Sequence, residues 1–479
     1  GRIVSIARIS PTPNSPMEFI VSATNPARPE SGTPDADARV VSRVTGMSLT
    51  ATLNRPAVIV GIVGLAMIGV GLVVSVASEE AQPERTRLTM PRATVEIVAT
   101  DTAAEDAVAV SSRLFASAPA VVVADARNVA WQDLAITTAT KLAIPVLIDG
   151  PGTAAEVARL GATSVLTFGQ TGPYARARPV TRATAAREIT RARGTYELTR
   201  ATPRDVFVVA GSKDVHGAAL TTARNAGATV VALPHGDPRT VPAAAKTLSA
   251  RPKAPVIALG ASPELTYTLG AVRSGVEQLG GGYLALPGRT MVALYGHPAS
   301  GALGVLGERG VAETVKRANR LAAKYRAVVK TPVVPTFEII ATVASAGAGK
   351  DKNYSAETKI KDLLPLIDAA EKAGIYVILD LQPGRTDFLT QAKRYESLLK
   401  RPHVGLALDP EWRLKPKQKH LRQIGSVSAA EINKVGDWLA ELTRTHQLPQ
   451  KVFVLHQFNI SMIKGRAKLD MGRPELATV

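Results

Sequence analysis

From residue 93 to the end of this 479-residue chain, short apolar runs alternate with stretches of helical spacing. That alternation restricts the fold more than any other feature, because each helix must carry the chain back to begin a strand parallel to the last. In the first half the strand-like runs are 94–100, 120–125, 144–150 and 163–169. Helical spacing fills 102–118 and 131–143. The expected class is α/β, with parallel sheets covered by helices.

The pattern then recurs. Residues 121–148 lie over residues 206–233, so that Thr137, Thr138 and Ala139 fall on Thr221, Thr222 and Ala223. Val165 to Gly169 falls on Val256 to Gly260. The chain therefore reads as a duplication with a period of about 85–90 residues. The boundaries expected are a first α/β repeat at 93–170, an Arg-rich linker at 171–204 and a second repeat at 205–285. In the first copy, "NVAWQDLAITTATKLAIPVLI" followed by "ATSVLTFGQ" resembles the cell wall-binding repeat of type 2, a tandem module of Gram-positive surface proteins. Asp133 and Leu134 match that family's helix start, and Ala143 stands where the family usually has glycine. The second copy is more diverged, with Gly217 in the place of Asp133. The resemblance implies noncovalent attachment to an anionic envelope polymer. The family usually shows three copies, and two are found here.

Between the copies, residues 174–200 carry seven Arg against two Glu. Arginine forks hold phosphate and carboxylate through paired hydrogen bonds. Arg176, Arg178, Arg191 and Arg193 are the candidate polyanion contacts. A solvated basic linker explains the same composition.

After the glycines at 280–282 the strands begin to end in polar residues. The run 290–298 ends at His297, 332–340 places Glu338, 375–384 presents Asp380 and Gln382, 403–412 presents Asp409 and Glu411, and 451–459 presents His456 and Gln457. Strands that hand polar groups to their C-terminal ends fit a (β/α) barrel, whose chemistry sits on that face. A doubly wound open sheet would also gather polar groups at its strand ends, and the barrel is preferred. Five strands are counted in 286–479, with a sixth beginning at Leu476, so the barrel is expected to be incomplete. Paired carboxylates at strand ends suit glycoside hydrolysis, in which one protonates the leaving oxygen and the other attacks or activates water. The catalytic candidates are Glu338, Asp380, Asp409 and Glu411, with His456. The substrate-binding candidates are Tyr295, His297, Gln382, Trp412 and Gln457. His297, Asp380, Asp409 and His456 could instead hold a divalent cation, but their spacing follows no metal motif, and neither metal nor cofactor is expected. The motifs "ALYGHP", "FEII", "LALDPEW" and "VLHQF" resemble an uncharacterised module of bacterial envelope proteins. That resemblance implies a domain and no particular reaction. The glycine-rich loop 296–310 lacks a Gly-Lys-Ser/Thr ending and reads as an ordinary βα loop.

Residues 56–77 carry no charge, and a run of about 22 residues is long enough to span a ~30 Å hydrocarbon core. A transmembrane or signal-anchor helix is expected at 56–78, after a disordered segment 1–55 and before a linker 79–92. Arg55 before the run and Glu79 and Glu80 after it orient the rest outward. Ser75 and Ala77 also make a signal-peptide cleavage pattern. The net charge of +18 points to anionic partners. With no basic helix interleaved with aromatics, nucleic acid is not expected. The absence of cysteine excludes disulfides and thiolate chemistry. The whole reads as an exported, membrane-anchored envelope protein that binds an anionic wall polymer or glycan and carries a glycan-hydrolase-like barrel. A non-catalytic surface or assembly protein is the alternative, and an incomplete barrel would favour an oligomer or a partner chain.

Overall fold

The structure, a computed structural model, describes residues 3–8, 18–24, 85–198, 201–211, 213–260 and 264–479. They fall within one unit. The molecule is a mixed α/β protein with parallel sheets. One element of the expected class is corrected: no helix among the described residues is long and apolar enough to cross a membrane. The run 56–77, and with it the cleavage pattern at its end, lies outside the described residues.

Two four-stranded parallel sheets come first. One has the order Val146–Ile148, Ala120–Ala124, Ser164–Phe168, Ala177–Val180. The other has the order Thr229–Ala232, Phe207–Ala210, Val256–Leu259, Val95–Val98. Three strands of each correspond in sequence, but the fourth does not. In the first sheet it follows the others along the chain. In the second it is supplied from before the first copy, so 94–100 does not build the sheet that sequence spacing assigned it. From Val95 the chain runs through the second sheet, crosses to the first, and returns.

Helix Ala103–Leu114 makes that crossing, and a capping box of Thr102 and Glu105 starts it. Buried hydrogen bonds lock the seam between the copies. The Thr222 hydroxyl donates to Val146 O at 2.9 Å and accepts from Val146 N at 3.0 Å. Asn225 Nδ2 donates to Ala139 O at 3.1 Å and Ile144 O at 2.8 Å. A continuous apolar core containing Leu114, Val122, Leu142, Leu220 and Ile257 runs through the seam. The segment expected as a linker also joins the fold, through strand Ala177–Val180 and helix Ala185–Thr195.

The third sheet positions the candidate site. Its strands are β1 (Ile3–Arg8), β2 (Glu18–Thr24), β3 (Thr290–Gly296), β4 (Val333–Ala344), β5 (Ser355–Glu357), β6 (Tyr376–Leu381), β7 (Val404–Leu408), β8 (Lys451–Leu455) and β9 (Leu476–Thr478). The order is β1-β2-β3-β4-β6-β7-β8-β9, with β5 paired to the end of β4. From β3 onward each strand lies beside the next parallel strand. That is the winding of a barrel, without the reversal of a doubly wound sheet. The expected barrel is nonetheless corrected to an open sheet among the described residues. No pairing returns β9 to β3, and the antiparallel hairpin β1-β2 covers the outer edge of β3. Six parallel strands fall short of the eight whose tilt and stagger close a well-filled barrel.

Side chains alternate across each strand. On one face Leu294, Phe337, Leu379, Leu406 and Phe453 pack in a single core with the helices, including Leu363 and Leu439. On the other, Met291, Val334, Ile378, Ala407, Val454 and Ala477 form a separate cluster. Gly405 lies in this second layer, where a Cβ would sit 2.5 Å from Val452 O and 3.0 Å from the Tyr376 hydroxyl. Glycine thus lets the fully buried Tyr376 reach across β7 and accept the Val452 amide at 3.1 Å.

Candidate functional site

Counting in twos from the second apolar layer leads to the site. Met291 leads to Tyr295, Val334 to Glu338, Ile378 to Asp380 and Gln382, Ala407 to Asp409, and Val454 to His456. All project from the same face at its C-terminal end, above an apolar floor. Glu338, Asp380, Gln382 and Asp409 are buried. His456 and Glu411 are partly exposed.

Glu338 Oε1 lies 2.5 Å from His456 Nε2. Tyr295 OH donates to Asp380 Oδ2 at 3.1 Å and accepts from Gln382 Nε2 at 3.2 Å. Gln382 is oriented in turn by the Ala344 amide, which donates to its Oε1 at 2.9 Å. The other Asp380 oxygen, Oδ1, is buried without a hydrogen-bond partner. Such an atom costs about 1–3 kcal/mol, and it is accounted for if it carries a proton and faces the place a ligand would occupy.

The electrostatics follow from burial and crowding. Burial, and then the charge of Asp409, push the Asp380 carboxyl well above the usual carboxylate range. Burial raises Asp409 to about 7, with His456 opposing the rise and Glu411 adding to it. Glu411 is also raised by burial. Burial works against the His456 imidazolium, but pairing with Glu338 and the nearby Asp380 and Asp409 outweigh it and lift the group to about 10. The site therefore pairs His456 with Glu338 beside an Asp380 that burial pushes toward its neutral form and an Asp409 brought to about 7.

Glu338, Asp380 and His456 each offer a ligand atom within 4.8 Å of the others, a spacing that could hold a metal ion. Two members of the alternative cation set considered from sequence, His297 and Asp409, are not in that trio. A metal at His456 would have to displace its proton, which the neighbouring carboxylates hold tightly.

The other candidates are placed differently. His297 does not join the acids. Its Nε2 lies 2.9 Å from Thr358 Oγ1 and its Nδ1 accepts from Ala299 N at 3.1 Å, while burial lowers its pKa. Pro410 ends β7 and begins the short 3₁₀ turn Pro410–Trp412, capped by Asp409. The strand therefore does not persist to deliver Glu411, which the turn places instead. Trp412 packs edge-on against His420 with ring centroids 5.3 Å apart. Gln457 Nε2 donates to Ile460 O at 3.4 Å within its own loop. Arg176 and Arg178 lie on or beside the edge strand Ala177–Val180, and Arg191 and Arg193 on the following helix. None of the four enters an ion pair among the described residues, although Arg193 Nη2 donates to Lys141 O at 2.7 Å.

Tyr295, named from sequence as a substrate-binding candidate, has its hydroxyl in the acid network. A second group was missed: Arg385, Lys415 and Lys464 line a cavity of their own. The signal for it was the run of cations after Asp409, which spacing alone could not connect to residues beyond β6 and β8. A separate cavity of about 750 Å³, lined by residues including Tyr267, Asp437, Arg444 and Glu475, contains none of the acid-site residues.

No family model matches the chain, and no curated protein matches it. Among solved structures, Cwp6 from Clostridium difficile, a cell wall protein, is matched at 14% identity and a TM-score of 0.18. The match covers 69% of this chain and 65% of that one, less than two thirds of its length. A TM-score at that level carries no structural argument, and the resemblance of residues 94–261 to wall-binding repeats receives no family-model support.

Proposed function

We propose that the C-terminal sheet is a glycan hydrolase that works at the cell surface, with the two α/β sheets as its attachment to an anionic polymer. The observation that carries the catalytic part is the approach of Glu338 and Asp380, whose ligand atoms lie within 4.8 Å, with burial pushing the Asp380 carboxyl well above the usual carboxylate range. In retaining glycosidases the two carboxyl groups stand about 5–5.5 Å apart, one as nucleophile and one as acid. Glu338 is suited to attack, since its contact with His456 fixes its orientation. Asp380 and Asp409 form the proton reservoir, and Asp409, at about 7, is poised to give up and recover a proton near neutral pH. The Tyr295–Gln382 network holds Asp380 in place. Net charge of +18 and the unpaired arginines of the first sheet support the attachment role.

The test is hydrolysis of purified envelope glycan, read as new reducing ends. Glu338→Gln should lower kcat by about 10²–10⁴-fold while the protein remains folded. Turnover by Glu338→Gln at the wild-type rate would remove the catalytic reading and leave a binding protein. The metal-holding geometry of Glu338, Asp380 and His456 favours a second reading, metal-assisted hydrolysis. In that case a chelator would abolish turnover and added divalent metal would restore it.

A further inference from the structure

We infer that a cavity built by the segments that follow β6, β7 and β8, the strands that deliver Asp380, Asp409 and His456, is an anion subsite that receives a phosphoryl group of the substrate. The inference rests on the glycan-hydrolase reading above and deepens it by naming the substrate class, a phosphate-bearing glycan.

The cavity has a volume of about 550 Å³ and is lined by Arg385, Arg413, Lys415, Ser426, Ser428, Glu431 and Lys464, among others. Its cations come from three segments that each follow a strand of the catalytic sheet: Arg385 after β6, Arg413 and Lys415 after β7, and Lys464 after β8. These are the strands that deliver Asp380, Asp409 and His456. A short parallel pairing of Val427 with Ile463 and Ser428 with Lys464 ties the second and third segments together.

The lining carries four cations and one carboxylate. That carboxylate is already engaged, since Arg413 Nε donates to Glu431 Oε1 at 2.9 Å and the Phe388 amide donates to the same oxygen at 3.1 Å. Arg413 is spent on Glu431 and on the carbonyls of Arg385 and Leu414. Arg385, Lys415 and Lys464 have no acidic partner among the described residues. Arg385 is held rigid, with its guanidinium 4.5 Å from the Tyr354 ring centroid and Nη2 donating to Gln418 O at 3.0 Å. Its Nε is buried with no hydrogen-bond partner. A guanidinium fixed in this way and flanked by two lysines from other loops suits an anion with oxygens in several directions. A phosphoryl group meets that need better than a planar carboxylate. The sequence supports the same polarity: from Trp412 to Ala430, and again from His456 to Leu469, lysines and arginines occur and Asp and Glu do not.

The experiment is calorimetric titration of the full chain at low salt with inorganic phosphate, with acetate as control, and then with envelope glycan before and after enzymatic dephosphorylation. Expected are saturable phosphate binding, weaker acetate binding, and glycan binding that drops at least tenfold on dephosphorylation. Lys415→Ala/Lys464→Ala, both at exposed positions, should weaken phosphate binding at least tenfold without changing the melting temperature, and Arg385→Ala should weaken it further. An unchanged phosphate affinity in the double-lysine variant would overturn the subsite. Equal affinity for free phosphate and phosphorylated glycan would overturn the substrate class. Loss of the hydrolase reading would look different: no turnover on any glycan, with phosphate binding intact.

Discussion

At the scale of single residues, the decisive feature is how few atoms separate an inert buried acid from a working one. Asp380 is fully buried, one oxygen tied to Tyr295 and the other unpartnered. Asp409 is one strand away and raised to about 7. If Asp409 must be protonated to act, activity should hold level below pH 7 and fall about tenfold per unit above it. Asp409→Asn should remove that alkaline limb from the kcat profile, and a limb that persisted unchanged would assign the proton to another group. The residue types here were legible in sequence, because acids and imidazoles at the ends of apolar runs are conspicuous. Their roles were not. His297 and His456 occupy comparable places at strand ends, yet one bonds Thr358 and the other Glu338. Only the path of the chain beyond each strand separates them.

At the scale of elements, two positions show local preference yielding to packing. Helix Val129–Leu142 ends at Ala143, which adopts φ 55°, ψ 39°, the left-handed cap that favours glycine. A left-handed non-glycine residue costs roughly 1–2 kcal/mol, so Ala143→Gly should stabilise the protein by about 1 kcal/mol, read as a higher denaturation midpoint. Lys451 opens β8 fully buried, with Nζ donating to Arg401 O at 2.9 Å and Val404 O at 2.8 Å. Burial lowers its pKa to about 7. Because the folded value is depressed below the unfolded one of about 10.4, the unfolded chain binds more protons between them, and stability contributed by Lys451 is lost as pH falls from the upper value through the lower. Lys451→Met should therefore gain on the wild type as pH drops from 10 to 7, measured by urea denaturation. A difference independent of pH would show that the lysine is charged in the fold. The polar C-terminal ends of the strands were readable because alternation is local. The end of β7 was misjudged because Pro410 turns the chain one residue after Asp409 delivers its carboxylate.

At the scale of the whole molecule, connectivity matters more than composition. The second α/β sheet is completed by Val95–Val98, which precedes the entire first copy. A fragment of residues 201–285 lacks that strand and the Ala103–Leu114 helix that packs against its helix Lys213–Asn225. It should show no cooperative thermal transition by circular dichroism, whereas residues 85–285 should show one. Cooperative folding of the short fragment would mean that the two copies are independent. The duplication was visible because corresponding runs, such as 137–139 and 221–223, recur in the same order along the chain. The shared fourth strand was not, because a four-residue β-branched run pairs as well with either sheet, and the choice rests on where the crossing helix lands.

Apolar periodicity alone settled that this chain forms parallel α/β layers and that acids and imidazoles crown its last strands, since strand alternation and helix spacing are properties of neighbouring residues. Tertiary structure decided which sheet each strand joins, that the final sheet stays open with a hairpin on its edge, and which crowning groups meet. Those outcomes depend on distances between residues far apart in the chain. Burial then did what no spacing could reveal: it pushed the Asp380 carboxyl well above the usual range and brought Asp409 to about 7, while the fold set His456 against Glu338.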